Sequence, residues 1–178
     1  RDALRIPLKQ NVALIQDSLK FLKSAAAEVQ YDAEHFFDGF KANPDYALAT
    51  IKAAQDARVN TIVLCDTNGG TLPSEVTEII RPVQTKISLP LGIHAHNDAE
   101  MAVANTIAAV QLGVGQVQGT INGYGERCGN ANLCSIIPIL IFKLKRGDCL
   151  KKLQVAKLRE VANFVAELAN LQPNKHQP

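Results

Sequence analysis

The stretch Leu-Gly-Ile-His-Ala-His-Asn-Asp (residues 91–98) ends an apolar run in two histidines that are separated by a single residue. In a β-strand over residues 90–96, side chains alternate between the two faces, so His94 and His96 fall on the same face. Two imidazoles on one face can bind one divalent cation, because imidazole nitrogen is a common ligand of such ions. The pair is also compatible with an ordinary polar strand end, and only further polar residues nearby favour the metal interpretation.

A second polar segment follows one strand–helix unit later. The small residues 99–112 predict a helix, and residues 116–120 predict a short strand. This strand leads into Asn-Gly-Tyr-Gly-Glu-Arg-Cys-Gly-Asn (residues 122–130), a glycine-rich loop that can bring a side-chain carbonyl back to the same ion. A helix from about residue 130 to residue 137 is expected next. The two polar segments together make a metal-centred site the working hypothesis.

Polar residues also end the other predicted strands. Strands that alternate with helices favour a parallel sheet, and right-handed crossovers place all the polar strand ends on one edge. Both α/β barrels and open α/β sheets have their sites on that edge, so periodicity alone leaves half a barrel and an open four-stranded sheet as alternatives. The predicted strands, with helices on one outer face, cover residues 28–32, 61–65, 90–94 and 116–120.

The composition argues against several classes of protein. A chain of 178 residues suits one domain, and its net charge of +2 comes without a basic patch, so no nucleic-acid partner is expected. The longest apolar run, residues 136–142, is too short to span a membrane, so no membrane association is expected. The cysteines have no Cys-x-x-Cys spacing and indicate reduced thiols in a cytoplasmic protein: Cys65, Cys128, Cys134 and Cys149.

Four motifs resemble one enzyme family. His-Ala-His-Asn-Asp (94–98) and Asn-Gly-x-Gly-Glu-Arg-x-Gly-Asn (122–130) resemble the acetyl-CoA-dependent synthases of 2-isopropylmalate, homocitrate and citramalate, which are related to hydroxymethylglutaryl-CoA lyase. Residues 31–39 and 65–71 look most like the citramalate synthase branch of that family. The resemblance runs from about residue 4 to residue 178.

The resemblance implies the fold. It predicts an α/β chain that forms the C-terminal half of a TIM (β/α)8 barrel, with four parallel strand–helix units and flanking helices. Residues 1–178 would then be a partial catalytic barrel domain, with the four units at 28–145 and a C-terminal helix at 151–171.

The resemblance also implies roles for five residues, and the position of a sixth, Asp98, makes it a further candidate. His94, His96 and Asn130 match the family's ligands of a divalent metal ion, which would be Mg, Mn or Zn. Thr67 matches the threonine that binds the carboxylate of a 2-oxo acid, and Glu34 matches a catalytic glutamate near the acetyl group. Without the family, Thr67 could be a strand-end cap and Glu34 a solvated loop charge. The remaining candidate, Asp98, either orients a histidine from outside the ligand set or caps the next helix.

Some family features are absent or altered. The fourth metal ligand is an aspartate that follows an arginine at the end of the first barrel strand, and Arg1-Asp2 does not match because it precedes a helix. The chain is therefore expected to be an internal fragment of a longer enzyme, with little turnover alone. Cys128 lies where related lyases have a catalytic cysteine, but the surrounding motif is the synthase version. Glu100 stands where many relatives have glycine.

The activity that the resemblance implies is a Claisen-type condensation of acetyl-CoA, as co-substrate, with a small 2-oxo acid. Pyruvate is the expected acid, with citramalate as product, and the full-length enzyme is expected to be a cytoplasmic homodimer of isoleucine or leucine biosynthesis. The alternatives are 2-isopropylmalate or homocitrate synthesis, a lyase or aldolase that uses the same metal site, and a noncatalytic half-barrel that packs on another chain.

Overall fold

The computed structural model describes residues 5–146 and 152–172, which form a parallel sheet with helices packed on it. All three strand pairs are parallel, and the strands are neighbours in chain order. This confirms the predicted parallel sheet, and each strand begins and ends within two residues of its predicted position. The strands are β1 (Gln30–Ala33), β2 (Thr61–Asp66), β3 (Leu91–Ala95) and β4 (Gln116–Gln118).

Eight α-helices connect or flank these strands in the described residues. No helix there is long and apolar enough to cross a membrane. The chain continues past α6 as a π-helical segment, Ile139–Lys143, and a short 3₁₀ turn, Ile121–Gly123, follows β4. The helices are α1 (Leu8–Ala25), α2 (Phe36–Ala42), α3 (Pro44–Asp56), α4 (Pro73–Lys86), α5 (Ala102–Gln111), α6 (Leu133–Pro138), α7 (Lys152–Val155) and α8 (Leu158–Leu168).

The helix-facing side of the sheet forms the main core. Ile62, Leu64 and Ile93 point to this side and are fully buried against apolar residues of the helices, among them Ile51 of α3 and Ile80 of α4. Burying a side chain of this size contributes about 1.5–3 kcal/mol, so this layer fixes the strand register.

The other face of the sheet is polar and concave. Gln116 of β4 donates a hydrogen bond to Gln30 of β1 at 2.8 Å, and Gln118 donates one to Asp32 at 3.2 Å. In a flat sheet β1 and β4 would be three strand spacings, or about 14 Å, apart, which is farther than these side chains reach. The sheet is therefore curled, as expected of part of a barrel. Gly92 lies on this face, where a Cβ atom would come within 2.9 Å of Val63.

Two helices begin later than the sequence predicts because backbone groups are used elsewhere. The α5 helix begins at Ala102 instead of residue 99, since Asn97 Oδ1 accepts the backbone N–H of Ala102 at 3.2 Å. Glu100, between them, has φ 58°, a left-handed conformation that glycine favours, so the loop keeps its shape without glycine. The α6 helix begins at Leu133 instead of residue 130, because Ala131 donates its backbone N–H to Ala95 at the end of β3.

The predicted C-terminal helix at 151–171 is divided. Within the described part of that range, α7 ends at Val155 and α8 begins at Leu158, with a turn in which Lys157 donates its backbone N–H to Gln154 at 3.1 Å. Residue 151 of that prediction lies outside the described residues. Pro82 lies inside α4, and the helix continues past it to Lys86.

Candidate metal centre

His94 and His96 project from the carboxyl end of β3 toward the concave face. Their Nε2 atoms are 3.3 Å apart, and their ring centroids are 5.1 Å apart. The register pairs His94 with Cys65 on one side and with Gln118 on the other, which places it centrally on the curled sheet. The alternation of strand side chains thus brings the two imidazoles together.

Asn130 joins the two histidines from the glycine-rich loop. Its Nδ2 atom lies 3.0 Å from His94 Nε2, and its backbone forms an antiparallel bridge with His96. Gly125 lies directly against this amide, because a Cβ atom there would collide with Asn130 Oδ1. The two ends of an amide are assigned from their surroundings, and a half-turn of the Asn130 side chain brings its oxygen to the histidines. The three predicted ligands therefore meet at one point.

The donor set fits a divalent cation. Two nitrogens that each lie about 2.1 Å from one ion, at an angle of about 90–110°, are about 3.0–3.4 Å apart, and the two Nε2 atoms have that spacing. Burial lowers the pKa of His96 below its usual value, and the charges of His94 and Arg127 act in the same direction. His96 is thus held in the neutral form, which is the form that binds metals.

Within the described residues the candidate ligand set has three members, His94, His96 and Asn130. Among residues 5–146 and 152–172, no group of three or more His, Cys, Asp or Glu side chains could hold a metal, and the candidate set there consists of two imidazoles and one amide. His96 Nδ1 is buried and has no hydrogen-bond partner within that same part of the chain. An incomplete set of two imidazoles and an amide is what the family resemblance predicts for these residues.

Glu34 and Thr67 lie at the ends of β1 and β2, on the same edge as the histidines. The Thr67 hydroxyl donates a hydrogen bond to Glu34 Oε2 at 2.7 Å and accepts the backbone N–H of His35 at 2.7 Å. His35 has φ 57°, and this left-handed turn directs its N–H toward Thr67. The structure thus places the two predicted substrate-site residues in direct contact.

Asp98 lies against Arg127, a residue that the sequence reasoning missed. Arg127 Nε and Nη2 donate to the two carboxylate oxygens of Asp98 at 2.9 and 3.0 Å, and Nη2 also donates to the backbone oxygen of Thr67 at 2.6 Å. The alternative role of Asp98 as a helix cap is wrong, because Asn97 accepts the first N–H of α5 instead. In the described residues the carboxylate of Asp98 bonds Arg127 and not a histidine, so its predicted role of orienting a histidine is not found either. Arg127 therefore ties together the loops that follow β2, β3 and β4.

Gln118 is a second residue that was missed. Its side-chain oxygen lies 2.9 Å from His94 Nδ1, on the far side of the ring from the other candidate ligands. The only signal in the sequence was a polar residue inside the predicted strand at 116–120, and the structure pairs it with His94. The exact register of β3 and β4 cannot be read from sequence periodicity.

Asp66 stabilises the loop after β2 from inside the protein. Its buried carboxylate accepts the Thr71 hydroxyl at 2.8 Å and the Asn105 amide at 3.3 Å. These bonds fix the shape of the loop that follows β2.

A curled parallel sheet with its polar residues gathered at the carboxyl ends of the strands defines the chain as part of a (β/α)8 barrel, as predicted. The solved hydroxymethylglutaryl-CoA lyase from Pseudomonas aeruginosa shares this fold with a TM-score of 0.78 at 15% identity, over 98% of this chain and 60% of that one. The chain belongs to the HMGL-like family, whose model matches residues 2–165.

Two curated relatives illustrate the similarity. The chain is 65% identical over 176 residues to an (R)-citramalate synthase of Geobacter sulfurreducens, which covers 99% of this chain and 33% of the relative. It is 34% identical over 163 residues to a 2-isopropylmalate synthase of Methanocaldococcus jannaschii, which covers 89% of this chain and 30% of the relative. The chain thus spans about a third of the length of these relatives. The predicted resemblance to the citramalate synthase branch is confirmed.

Proposed function

We propose that the full-length protein condenses acetyl-CoA with pyruvate to form citramalate. The observation that carries the proposal is the meeting of His94, His96 and Asn130 at the carboxyl edge of the sheet, beside the contacting pair Glu34 and Thr67. The 65% identity to an (R)-citramalate synthase supports the choice of substrates. The set of donors supports the dependence on a metal.

The two histidines and Asn130 would hold a divalent ion, Mg, Mn or Zn, with an acidic ligand from another part of the protein. Such an ion acts as a Lewis acid that polarises the keto group of the 2-oxo acid. The neutral imidazole of His96 is ready to bind without first losing a proton. Asn130 supplies a neutral oxygen from its loop.

Thr67 would bind the carboxylate of pyruvate through its hydroxyl. A hydroxyl has one hydrogen, and in this structure that hydrogen is donated to Glu34. Thr67 must therefore turn away from Glu34 when the acid binds, which leaves the Glu34 carboxylate free beside the incoming acetyl group. Thr67 thus binds the 2-oxo acid first, and Glu34 then acts beside the acetyl group.

The overall reaction joins the acetyl methyl carbon to the keto carbon of pyruvate. The methyl carbon loses a proton, the keto oxygen gains one, and hydrolysis of the thioester releases free CoA. This release makes a thiol assay the direct test of the proposal.

The test is CoA release by the full-length protein with a panel of 2-oxo acids and Mn²⁺. We expect release with pyruvate and its loss in the His94→Ala variant. Release with a longer branched acid but not with pyruvate would move the assignment to 2-isopropylmalate synthesis. No release with any acid would refute the synthase proposal.

A further inference from the structure

Two glutamines of β4 cross the concave face of the sheet to β1. Gln116 donates to Gln30 at 2.8 Å, and Gln118 donates to Asp32 at 3.2 Å. The two bridges lie two residues apart on the same strand and the same face. Only Gln118 also contacts a candidate metal ligand, since its Oε1 atom lies 2.9 Å from His94 Nδ1.

The carboxylate of Asp32 determines which way the Gln118 amide points. An ionised carboxylate only accepts hydrogen bonds, so the amide nitrogen of Gln118 must face Asp32. The amide oxygen must then face His94. An oxygen acceptor beside His94 Nδ1 requires the hydrogen of the neutral ring to be on Nδ1, which leaves Nε2 with a free lone pair.

That free lone pair faces the candidate site. His94 Nε2 lies 3.0 Å from the Asn130 amide and 3.3 Å from His96 Nε2. Because the Asp32 carboxylate only accepts hydrogen bonds, it orients the Gln118 amide. The Gln118 oxygen in turn holds the hydrogen of His94 on Nδ1 and leaves Nε2 available to a metal.

We propose that Gln118 and Asp32 are positioning residues that hold His94 in the tautomer and ring orientation that bind a divalent cation. This inference rests on the proposed metal site. Outer hydrogen bonds of this kind typically change metal affinity by about 10- to 100-fold, because they fix the ligand before the ion arrives. Neither residue was a predicted site residue.

The neighbouring bridge offers a matched control. Gln116→Leu and Gln118→Leu each remove one hydrogen bond between β4 and β1 and each place an apolar side chain on the same face. If Gln118 only joined the two strands, both variants would have the same effect. The double variant Gln118→Glu/Asp32→Asn is the conservative one, because the new carboxylate still accepts the His94 Nδ1 hydrogen and also accepts a hydrogen bond from the new amide at residue 32.

The experiment measures the affinity of the full-length protein for Mn²⁺ alone, by electron paramagnetic resonance of the free ion. We expect Gln118→Leu to weaken binding by about 10- to 100-fold, whereas Gln116→Leu and the double variant Gln118→Glu/Asp32→Asn stay close to the parent protein. Asp32→Ala should weaken binding less than Gln118→Leu, because the amide loses its orientation but not its contact with His94. Circular dichroism melting checks that each variant is folded.

Several outcomes would overturn the inference. Equal affinity of Gln118→Leu and the parent, equal losses in Gln116→Leu and Gln118→Leu, or a Gln118→Glu/Asp32→Asn double variant as weak as Gln118→Leu would each reject a positioning role for Gln118. An Asp32→Ala variant with the Mn²⁺ affinity of the parent would show that Asp32 does not position the Gln118 amide. A parent protein that does not bind Mn²⁺ would instead refute the metal site itself, so the two failures are distinguishable.

Discussion

The hydroxyl of Thr67 and the carboxylate of Glu34 share a hydrogen bond of 2.7 Å that joins the ends of β2 and β1. The same hydroxyl accepts the backbone N–H of His35, so its position is fixed by two partners. A substrate carboxylate that binds Thr67 has to take the hydrogen that Glu34 now receives. Under the proposed function, substrate binding at Thr67 would therefore exchange the Glu34 carboxylate for that of the 2-oxo acid.

This exchange predicts the effect of changing Thr67. Thr67→Ala should raise the KM for pyruvate about 10-fold or more and lower kcat less, because a hydrogen bond to a charged group contributes about 1.5–3 kcal/mol. Thr67→Ser keeps the hydroxyl and should remain within a few-fold of the parent. Steady-state kinetics of the full-length protein measure both, and a Thr67→Ala variant with an unchanged KM would contradict the assigned role.

Gly125 leaves space for the Asn130 amide, and replacing Gly125 should weaken metal binding. A Cβ atom at residue 125 collides with Asn130 Oδ1, so Gly125→Ala should displace this ligand and weaken Mn²⁺ binding, by roughly 10-fold if the amide is a true ligand. Gly115→Ala is the matched control, since a Cβ atom there has open space around it. Equal Mn²⁺ affinities in the two variants would argue against Asn130 as a ligand.

The pair formed by Asp98 and Arg127 predicts a pH dependence of stability. The hydrogen bonds from Arg127 lower the pKa of Asp98 below its usual value. The folded protein thus favours the charged carboxylate, and the resulting stabilisation is present above the ordinary aspartate pKa of about 3.9 and is lost as the pH falls through the lower folded value.

The measurement compares the melting temperatures of the parent and the Asp98→Asn variant from neutral pH into the acid range. The parent should melt higher at neutral pH, and the difference should shrink as the pH falls below about 4. A difference that stays constant over this range would show that the charge of Asp98 contributes nothing.

The cysteines should differ strongly in reactivity. Burial raises the pKa of the Cys65 thiol far above its usual value, and the negative charges of Glu34 and Asp32 act in the same direction, whereas Cys128 is exposed in its loop. Iodoacetamide should therefore label Cys128 in the native protein and label Cys65 only after unfolding. Peptide mass mapping reads both sites, and native labelling of Cys65 would contradict its buried position.

A Cys128→Ser variant separates the synthase from the lyase chemistry of the family. The synthase proposal expects CoA release with pyruvate to be nearly unchanged, because the thiol has no assigned step. Loss of activity in this variant, in the folded protein, would favour a lyase.

The parts of the structure that follow from local pattern could be predicted from the sequence. The continuous apolar run of β2 and the spacing of His94 and His96 depend only on neighbours in the chain, and the structure has both as expected. The contacts of Arg127 with Asp98 and of Gln118 with His94 join residues 24 or more positions apart. They depend on strand register and loop path, which the periodicity of hydrophobic residues does not encode.

The starts of α5 and α6 were misplaced for a related reason. The side chains of Asn97 and Asn132 accept backbone N–H groups at the starts of α5 and α6. Before those starts, Ala99 donates its backbone N–H to Gly69 and Ala131 donates its own to Ala95. Small helix-forming residues extend across both boundaries, so propensity alone placed the helices too early.

Direct measurement of Mn²⁺ binding to the full-length protein tests the central claim, that His94, His96 and Asn130 hold one divalent ion. We expect one ion per chain in the parent and a loss of affinity of at least about 100-fold in His94→Ala, where a ligand itself is removed. His35→Asn is the control, because it removes a histidine at the same edge but keeps a residue that tolerates the left-handed conformation. A parent that binds no Mn²⁺, or a His94→Ala variant that binds it as tightly as the parent, would show that these three residues do not hold the ion.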